Sequence, residues 1–334
     1  MTVLTYYVNT SGNDTTGDGS SGNPWATIPK FMSSANWAGA TGLICDITGD
    51  HTLVATLSSV NPEAYRIPWK LQGSGKIIIN HTTSTGLVGD WAYRRLSVTC
   101  DIELASTVNL FPNGGECDGS TIDCKNNTGY TVFQGDQTIR NATLREAGVS
   151  GRFFLQAYSG VRFFNCEFRG CRYIYSSPSF TPPLFERCIF YNATPYFSAL
   201  GTLGGTTYNA KSYLFKNCIF ADTTGSGKTT IEGLSASVSI RDCVFVDSAG
   251  TALSGLFNEV SAYYYGMSPG SPTTMGDNSI TALAEDPYPN RGSGDWTPSA
   301  ELAAITGSDG LTPGAVQAAG GGSTLHPLYA TGRK

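Results

Sequence analysis

Four short stretches decide the fold: FFNCEF (163–168), FERCIF (185–190), FKNCIF (215–220) and IRDCVF (240–245). Each runs apolar, variable, turn-prone, Cys, variable, large apolar. Apolar positions that alternate with variable ones give the two-residue period of a strand with one buried face. Between the two half-strands stands Asn165, Asn217 or Asp242, residue types that tolerate a left-handed bend and bond the backbone locally. Arg187 is the variant. IRNATL (139–144) joins the set with Ala142 in the Cys position, and CDGSTI (117–122) joins it with Ser120 there. The closing residues Ile122, Leu144, Phe168, Phe190, Phe220 and Phe245 are 22, 24, 22, 30 and 25 residues apart. RRLSVTC extends the series upstream, with Val98 as its closing residue, and KIIIN (76–80) precedes it. A bend between two inward-facing strands, repeated at an elastic period, predicts the coil of a parallel β-helix. The long unit of 30 then carries its extra residues in a loop, and stacked Asn side chains are expected to bond from coil to coil.

Other repeats fit less well. A leucine-rich repeat needs a Leu/Asn pattern and a helical return, and a propeller blade needs a period of roughly 40–50. A β-sandwich would not align one Cys-x-Phe column. Charged residues make up 14% of the chain, Gly accounts for 40 of 334 residues, and 40% is apolar, which suits a turn-rich β protein with a sizeable core. A net charge of −5 gives no electrostatic footprint for nucleic acid. No apolar run reaches the roughly 18 residues of a membrane span, and the opening residues lack the pattern of a signal peptide. With nine Cys, three His and no CxxC pair, neither a metal site nor a cofactor is expected. Cys166, Cys188, Cys218 and Cys243 read as a reduced internal ladder beside the core residues Phe168, Phe190, Phe220 and Phe245. Rungs about 4.8 Å apart are too far for Cβ atoms that a disulfide holds at roughly 3.5–4.5 Å.

The ends read differently. Trp25, Ile28, Phe31 and Met32 recur at helical spacing within PWATIPKFMSSANW (24–37), which predicts a short amphipathic cap. The organisation expected is an N-terminal loop and cap (1–40), a β-helix (41–258) and an irregular C-terminal arm (259–334). That arm includes GGGS (320–323) and ends in HPLYATGRK, either an anchor or a loose tail. The opening YYVNTSGNDTTGDGSSGNPWATIPKF resembles the start of right-handed parallel β-helix proteins of the pectate-lyase-like superfamily. The stretch DPYPNRGSGDWTPSAELAAITGSDGLTPGAVQ (286–317) resembles their C-terminal sequence through Asp286, Pro287, Asp295 and Gly314-Ala315. The resemblance implies an all-β fold, a single-stranded right-handed solenoid of about eight to ten coils. A cap followed by a bare solenoid resembles bacteriophage surface proteins, tailspikes and capsid-attached spikes, which are commonly homotrimers.

Motifs for chemistry are sparse. TTGSGKTT (223–230) has Asp222 where a phosphate-binding loop needs its first Gly, and strands rather than a helix follow. Asp14 and Asp18 lie among glycines but lack the spacing of a calcium loop. The Asn-x-Ser/Thr triplets at Asn9, Asn80, Asn141 and Asn192 reflect composition. Glu146, Glu167, Glu186 and Glu232 are scattered over the coils, whereas glycoside hydrolysis needs a carboxylate pair roughly 5–10 Å apart. No catalytic residue is assigned. In GRFFLQAY (151–158), CRYIYSS (171–177) and TPYFSAL (194–200), alternation sets Phe154, Tyr173, Tyr175 and Tyr196 opposite the inward residues. This aromatic face suits a subunit interface, a glycan surface or no partner at all. The function these readings imply is a homotrimeric spike or capsid decoration protein on a phage virion. Its expected partners are other virion proteins and host surface polysaccharide, with no nucleic acid and no membrane insertion. The unpaired thiols fit assembly in the host cytoplasm. The alternative is a tailspike depolymerase, a polysaccharide hydrolase or lyase.

Overall fold

The computed structural model describes residues 2–36, 40–55, 57, 67–80, 96–104, 115–123, 130–134, 137–145, 152–156, 161–169, 173–176, 184–191, 196–198, 202–203, 206–207, 214–222, 229–234, 238–247 and 251–314. For the third-wall strands from Tyr130–Gln134 to Thr229–Leu234, the backbone alone is described.

The chain winds as a parallel β-helix. A first wall stacks twelve described strands, from Val3–Asn9 to Asn278–Ala282, every neighbour parallel. A second wall stacks strands from His51–Leu53 to Ile219–Ala221 in the same sense and shares Ser239–Val246 with the first. A third wall runs from Tyr130–Gln134 through Arg152–Gln156, Tyr173–Ser176, Tyr196–Ser198 and Thr229–Leu234 to Thr251–Phe257. The longest unit, between Phe190 and Phe220, contains a small antiparallel hairpin pairing Thr202–Leu203 with Thr206–Thr207.

The corner between first and second walls explains the repeat. Asn141, Asn165, Arg187, Asn217 and Asp242 all have φ between 49° and 57°. That left-handed bend costs roughly 1–2 kcal/mol for most side chains and least for Gly, Asn and Asp. The residue after each bend turns into the angle between the walls and is small: Ser120, Ala142, Cys166, Cys188, Cys218 and Cys243 are all buried. Cys166, Cys188 and Cys218 donate to the carbonyls of Ile139, Phe163 and Phe185 one coil back, at 3.3–3.5 Å. Ser120 does the same to Val98 at 3.1 Å. The seven described cysteines are free and buried. Burial pushes the Cys100 thiol up to about 12 and those of Cys117, Cys188 and Cys243 well above their ordinary value.

Two columns of side chains fill the interior. The second-wall column is Ile77, Ile102, Ile122, Leu144, Phe168, Phe190, Phe220 and Phe245. Val98 belongs to the other column: it pairs with Cys117, and Ile102 takes the place expected of it. Both residues are apolar and their strands are separated by a two-residue corner, so a simple count slips by one strand. In the first wall, Phe163, Phe185 and Phe215 stack with ring centroids 5.1 Å apart. In the second, Phe168, Phe190, Phe220 and Phe245 stack at 4.7–4.8 Å, the spacing of the rungs themselves. The two ladders meet edge to face, and each aromatic pair adds roughly 0.5–1.5 kcal/mol beyond its buried area.

The ends depart from the expected boundaries. Val3–Asn9, placed in the N-terminal cap from sequence, is already a rung, paired along its length with Gly42–Thr48. Its outer edge is closed by the following loop: Tyr7 N donates to Gly19 O, and Trp25 N to Tyr7 O. The helix α1 (Ile28–Ser34) starts after Trp25, which bridges to Val8 instead, with Thr27 as N-cap and Pro29 in the first turn, where no backbone donor is missed. Its Ile28, Phe31 and Met32 are buried, and Phe31 packs against Trp69. At the other end the ladder does not stop at 258. Glu259–Tyr265 and Asn278–Ala282 continue it, because Val260 and Ala262 keep the inward alternation although Cys and Phe are gone. Residues 320–334, with GGGS and HPLYATGRK, lie outside the described residues.

Asn side chains stack over part of the corner. Asn165 Nδ2 donates to Asn141 Oδ1, and Asn141 Nδ2 to Asp118 Oδ1, both at 2.7 Å. Arg187 interrupts this stack and leaves Asn165 Oδ1 and its own Nε buried without partners. Arg187→Asn should relieve the bend and supply the missing donor, raising stability by about 1–2 kcal/mol, read as a higher urea midpoint at unchanged slope. Phe220→Asp should prevent native folding, because it strands a carboxylate between two stacked rings; soluble protein with a cooperative melt would show the opposite.

Candidate functional site

The outer faces of the three walls differ. The first carries cross-rung ion pairs: Arg140 to Glu116 at 3.1 Å, Lys216 to Glu186 at 3.8 Å, and Arg241 to Glu259. On the second wall Lys76 meets Glu103 at 2.7 Å, and the 5%-exposed Glu167 meets Arg169 at 2.7 Å. Of the four glutamates singled out in the sequence, Glu167 and Glu186 are thus held by cations. Glu232 is placed by its backbone only, and Glu146 lies outside the described residues. Among the described residues, no group of three His, Cys, Asp or Glu could hold a metal ion. No described helix is long and apolar enough to cross a membrane. Asp14 is committed to its own loop, accepting from Ala26 N, Thr27 N and Thr27 Oγ1, and Asp18 accepts from Ser20 N. Residues 223–228 lie outside the described residues, and Thr229–Leu234 is a strand.

The third wall holds the aromatic candidates. Phe154 pairs with Tyr175, and Tyr173 with Tyr196, so the four positions share one parity of the sheet. The intervening column runs Phe153, Ile174, Phe197, Ile231 and ends on Leu253, which is 1% exposed. The four side chains themselves lie outside what is described.

A second feature emerges on the second wall, one the sequence reading missed. Ile189, Ile219 and Val244 occupy outward positions one rung apart, yet all are buried. Residues 283–314 cover them as a strap. Leu283, Tyr288, Trp296 and Leu302 pack against Ile189, Ile219, Ala221, Val244 and Val246 in a cluster separate from the interior. Trp296 meets Tyr191 at 5.5 Å and Tyr288 at 5.8 Å, edge to face in both cases. The helix α2 (Ala300–Ala303) is capped by Ser299 and brings Leu302 to the wall. A signal was available: the residue between Cys and the closing apolar changes from Glu167 to Ile189, Ile219 and Val244, which marks an outer face that must be covered.

The strap accounts for the C-terminal motif. Asp286 caps its own turn through Tyr288 N and accepts Arg291 Nη1 at 2.5 Å. Arg291 also reaches Asp222 at 3.1 Å and Asp247. Those two residues form second left-handed corners, φ 49° and 43°, of their coils. Burial opposes the Arg291 charge, but Asp222 and Asp286 hold its pKa above the ordinary value. Asp295 accepts from Thr297. Asp242, 1% exposed, accepts from Ser308 N at 2.9 Å and from its hydroxyl. Asp309 accepts from Asn217 at 2.8 Å and lies 3.3 Å from Lys216. Burial disfavours the Asp309 carboxylate, yet the bonds from Asn217, Leu311 N and Lys216 keep its pKa below the ordinary value. Its contribution is therefore complete above the unfolded value near ~3.9 and is lost as pH falls through the lower folded one.

No family model matches the chain. No curated protein matches it either. Similar solved structures include pectate lyase Pel9A, with 14% identity, a TM-score of 0.43, and coverage of 93% of this chain and 87% of that one. ORF18 of Geobacillus virus E2 gives 13%, 0.41, 84% and 62%. The GH136 lacto-N-biosidase from Eubacterium ramulus gives 10%, 0.35, 84% and 68%. Likenesses this distant carry no argument about activity, and the parallel register itself defines this chain as a β-helix.

Gly314 tests the strap. Its φ is +63°, Tyr288 Oη donates to its carbonyl at 3.2 Å, and an added Cβ would lie 2.5 Å from that hydroxyl and 2.9 Å from Val244. Gly314→Ala should lower stability by about 1–3 kcal/mol, with Trp296 fluorescence moving to the red as the indole gains water.

Proposed function

We propose that the chain is a surface spike or decoration protein of a bacteriophage particle, a rigid rod that trimerises through its third wall. One observation carries the reading. The first wall faces outward with ion pairs and the second is partly sealed by its own strap. The third brings Phe154, Tyr173, Tyr175 and Tyr196 to positions of one parity. Aromatic residues are enriched in the buried centres of interfaces, and a closed threefold ring of parallel rods leaves no growing end. The virion setting rests on the resemblance of a cap followed by a bare solenoid to phage surface proteins. Seven free buried thiols suit assembly in a reducing cytoplasm. Host surface polysaccharide is the ligand proposed for the exposed rod.

Light scattering should give three times the 35.4 kDa chain mass for the wild type and one chain for Tyr173→Ser/Tyr175→Ser. A wild-type monomer at micromolar concentration would defeat the trimer, and a trimeric mutant would defeat the face. New reducing ends or unsaturated uronates after incubation with host polysaccharide would establish the depolymerase reading instead.

A further inference from the structure

The strap and the solenoid are held by different physics. Rungs of the solenoid are joined by backbone hydrogen bonds and stacked rings, neither of which titrates. Its cross-rung ion pairs on exposed faces contribute little. The strap joins the wall through an apolar strip, and its side-chain polar anchors to the corners depend on carboxylates. At one anchor Arg291, whose side chain is only 12% exposed, is surrounded by Asp222 and Asp247 of the wall and Asp286 of the strap. At the other, Asp242 of the wall holds Ser308, while Asp309 of the strap sits on Asn217 and Lys216, with Glu186 beyond that lysine. The strap's internal order rests on carboxylates too: Glu301 accepts from Ala284 N and Glu285 N, Glu285 accepts from Glu301 N, and Asp295 braces Asn290 and Thr297. The remaining cation nearby is Arg169, whose guanidinium lies against Gly294 and is paired with Glu167. The environment of the Arg291 guanidinium is thus dominated by acids.

We propose that the strap is a latch that acid releases while the solenoid stays wound, uncovering the strip of Ile189, Ile219, Val244 and Val246. Protonating the wall carboxylates leaves the Arg291 charge buried without a counter-charge, which favours exposure of the strap to water. The same protons leave the ladders of the solenoid untouched. Opening therefore occurs as a sub-global unit, below the threshold for unwinding. The strap's described contacts are with the first two walls, so this inference stands apart from the trimer reading.

The test is pulse-labelled hydrogen exchange of the full chain, corrected for intrinsic rates, with binding of an apolar fluorescent dye in parallel. As pH falls below roughly 4, the unfolded carboxyl value, towards about 2, peptides from 283–314 should lose about tenfold or more of their protection. Peptides covering 184–191 and 214–221 should keep theirs, and dye fluorescence should rise with the opening. Arg291→Gln should open the strap near neutral pH. Should that variant not fold, Asp247→Asn, which keeps the shape and removes one counter-charge, should shift the opening midpoint upward. Joint loss of protection in strap and solenoid overturns the latch. So does a strap still protected at about pH 2, or a folded variant that opens at the wild-type pH.

Discussion

The left-handed bend between the first two walls is the constraint on which the rest of the structure depends. Because Asn141, Asn165, Arg187, Asn217 and Asp242 turn by nearly the same amount, successive coils superpose and each residue meets its counterpart one rung away. Stacking follows from that superposition: rings can lie 4.7–5.1 Å apart over several coils only if the corners beside them agree. The requirement for a small residue after the bend has the same origin, since that side chain fills the angle where two walls converge. Cysteine serves there because its thiol is small and can still reach a carbonyl on the coil before.

Corner chemistry also divides the molecule along its length. Asn141 uses both a donor and an acceptor, and Asn165 a donor, to join coils to one another. Asp222 and Asp247, with acceptors only, turn to Arg291 of the strap, while Asp242 accepts both from Ser261 on the next coil and from Ser308 of the strap. Towards the same end of the solenoid Glu167 gives way to Ile189, Ile219 and Val244 on the outer face, and Asn217 donates its amide to Asp309 of the strap. Both changes describe one event, the transition from a wall that meets water to a wall that meets its own chain. Arg187 sits at the boundary between the two regimes and satisfies neither, as the orphaned Asn165 Oδ1 beside it shows.

This division matters for function because it determines which surfaces remain open. A parallel β-helix supports adhesion, structural display and polysaccharide chemistry alike, and the fold alone does not choose. One face is ion-paired and one is partly covered by the strap. Among the described carboxylates, Glu103, Glu116, Glu186 and Glu259 pair with cations across coils, and Asp222, Asp242 and Asp247 hold the strap.

The repeat, the corner residues and the two inner columns were legible in the sequence because each depends on local alternation and on the small set of residues that accept a left-handed bend. The short cap helix was legible through the helical spacing of Ile28, Phe31 and Met32, whereas Trp25, read with them, bridges to the first strand. Three matters were decided by tertiary structure. Val98 and Ile102 are both apolar and four residues apart, and only the pairing of strands assigns each to its wall. Glu259–Tyr265 and Asn278–Ala282 lack the Cys-x-Phe signature and enter the ladder because the coil beneath offers an open edge. The strap is the clearest case: Arg291 and its partners Asp222 and Asp247 lie 69 and 44 residues apart in the chain. No local pattern links residues so distant. Their meeting depends on a finished stack of coils that presents an apolar strip and two acidic corners to the same segment.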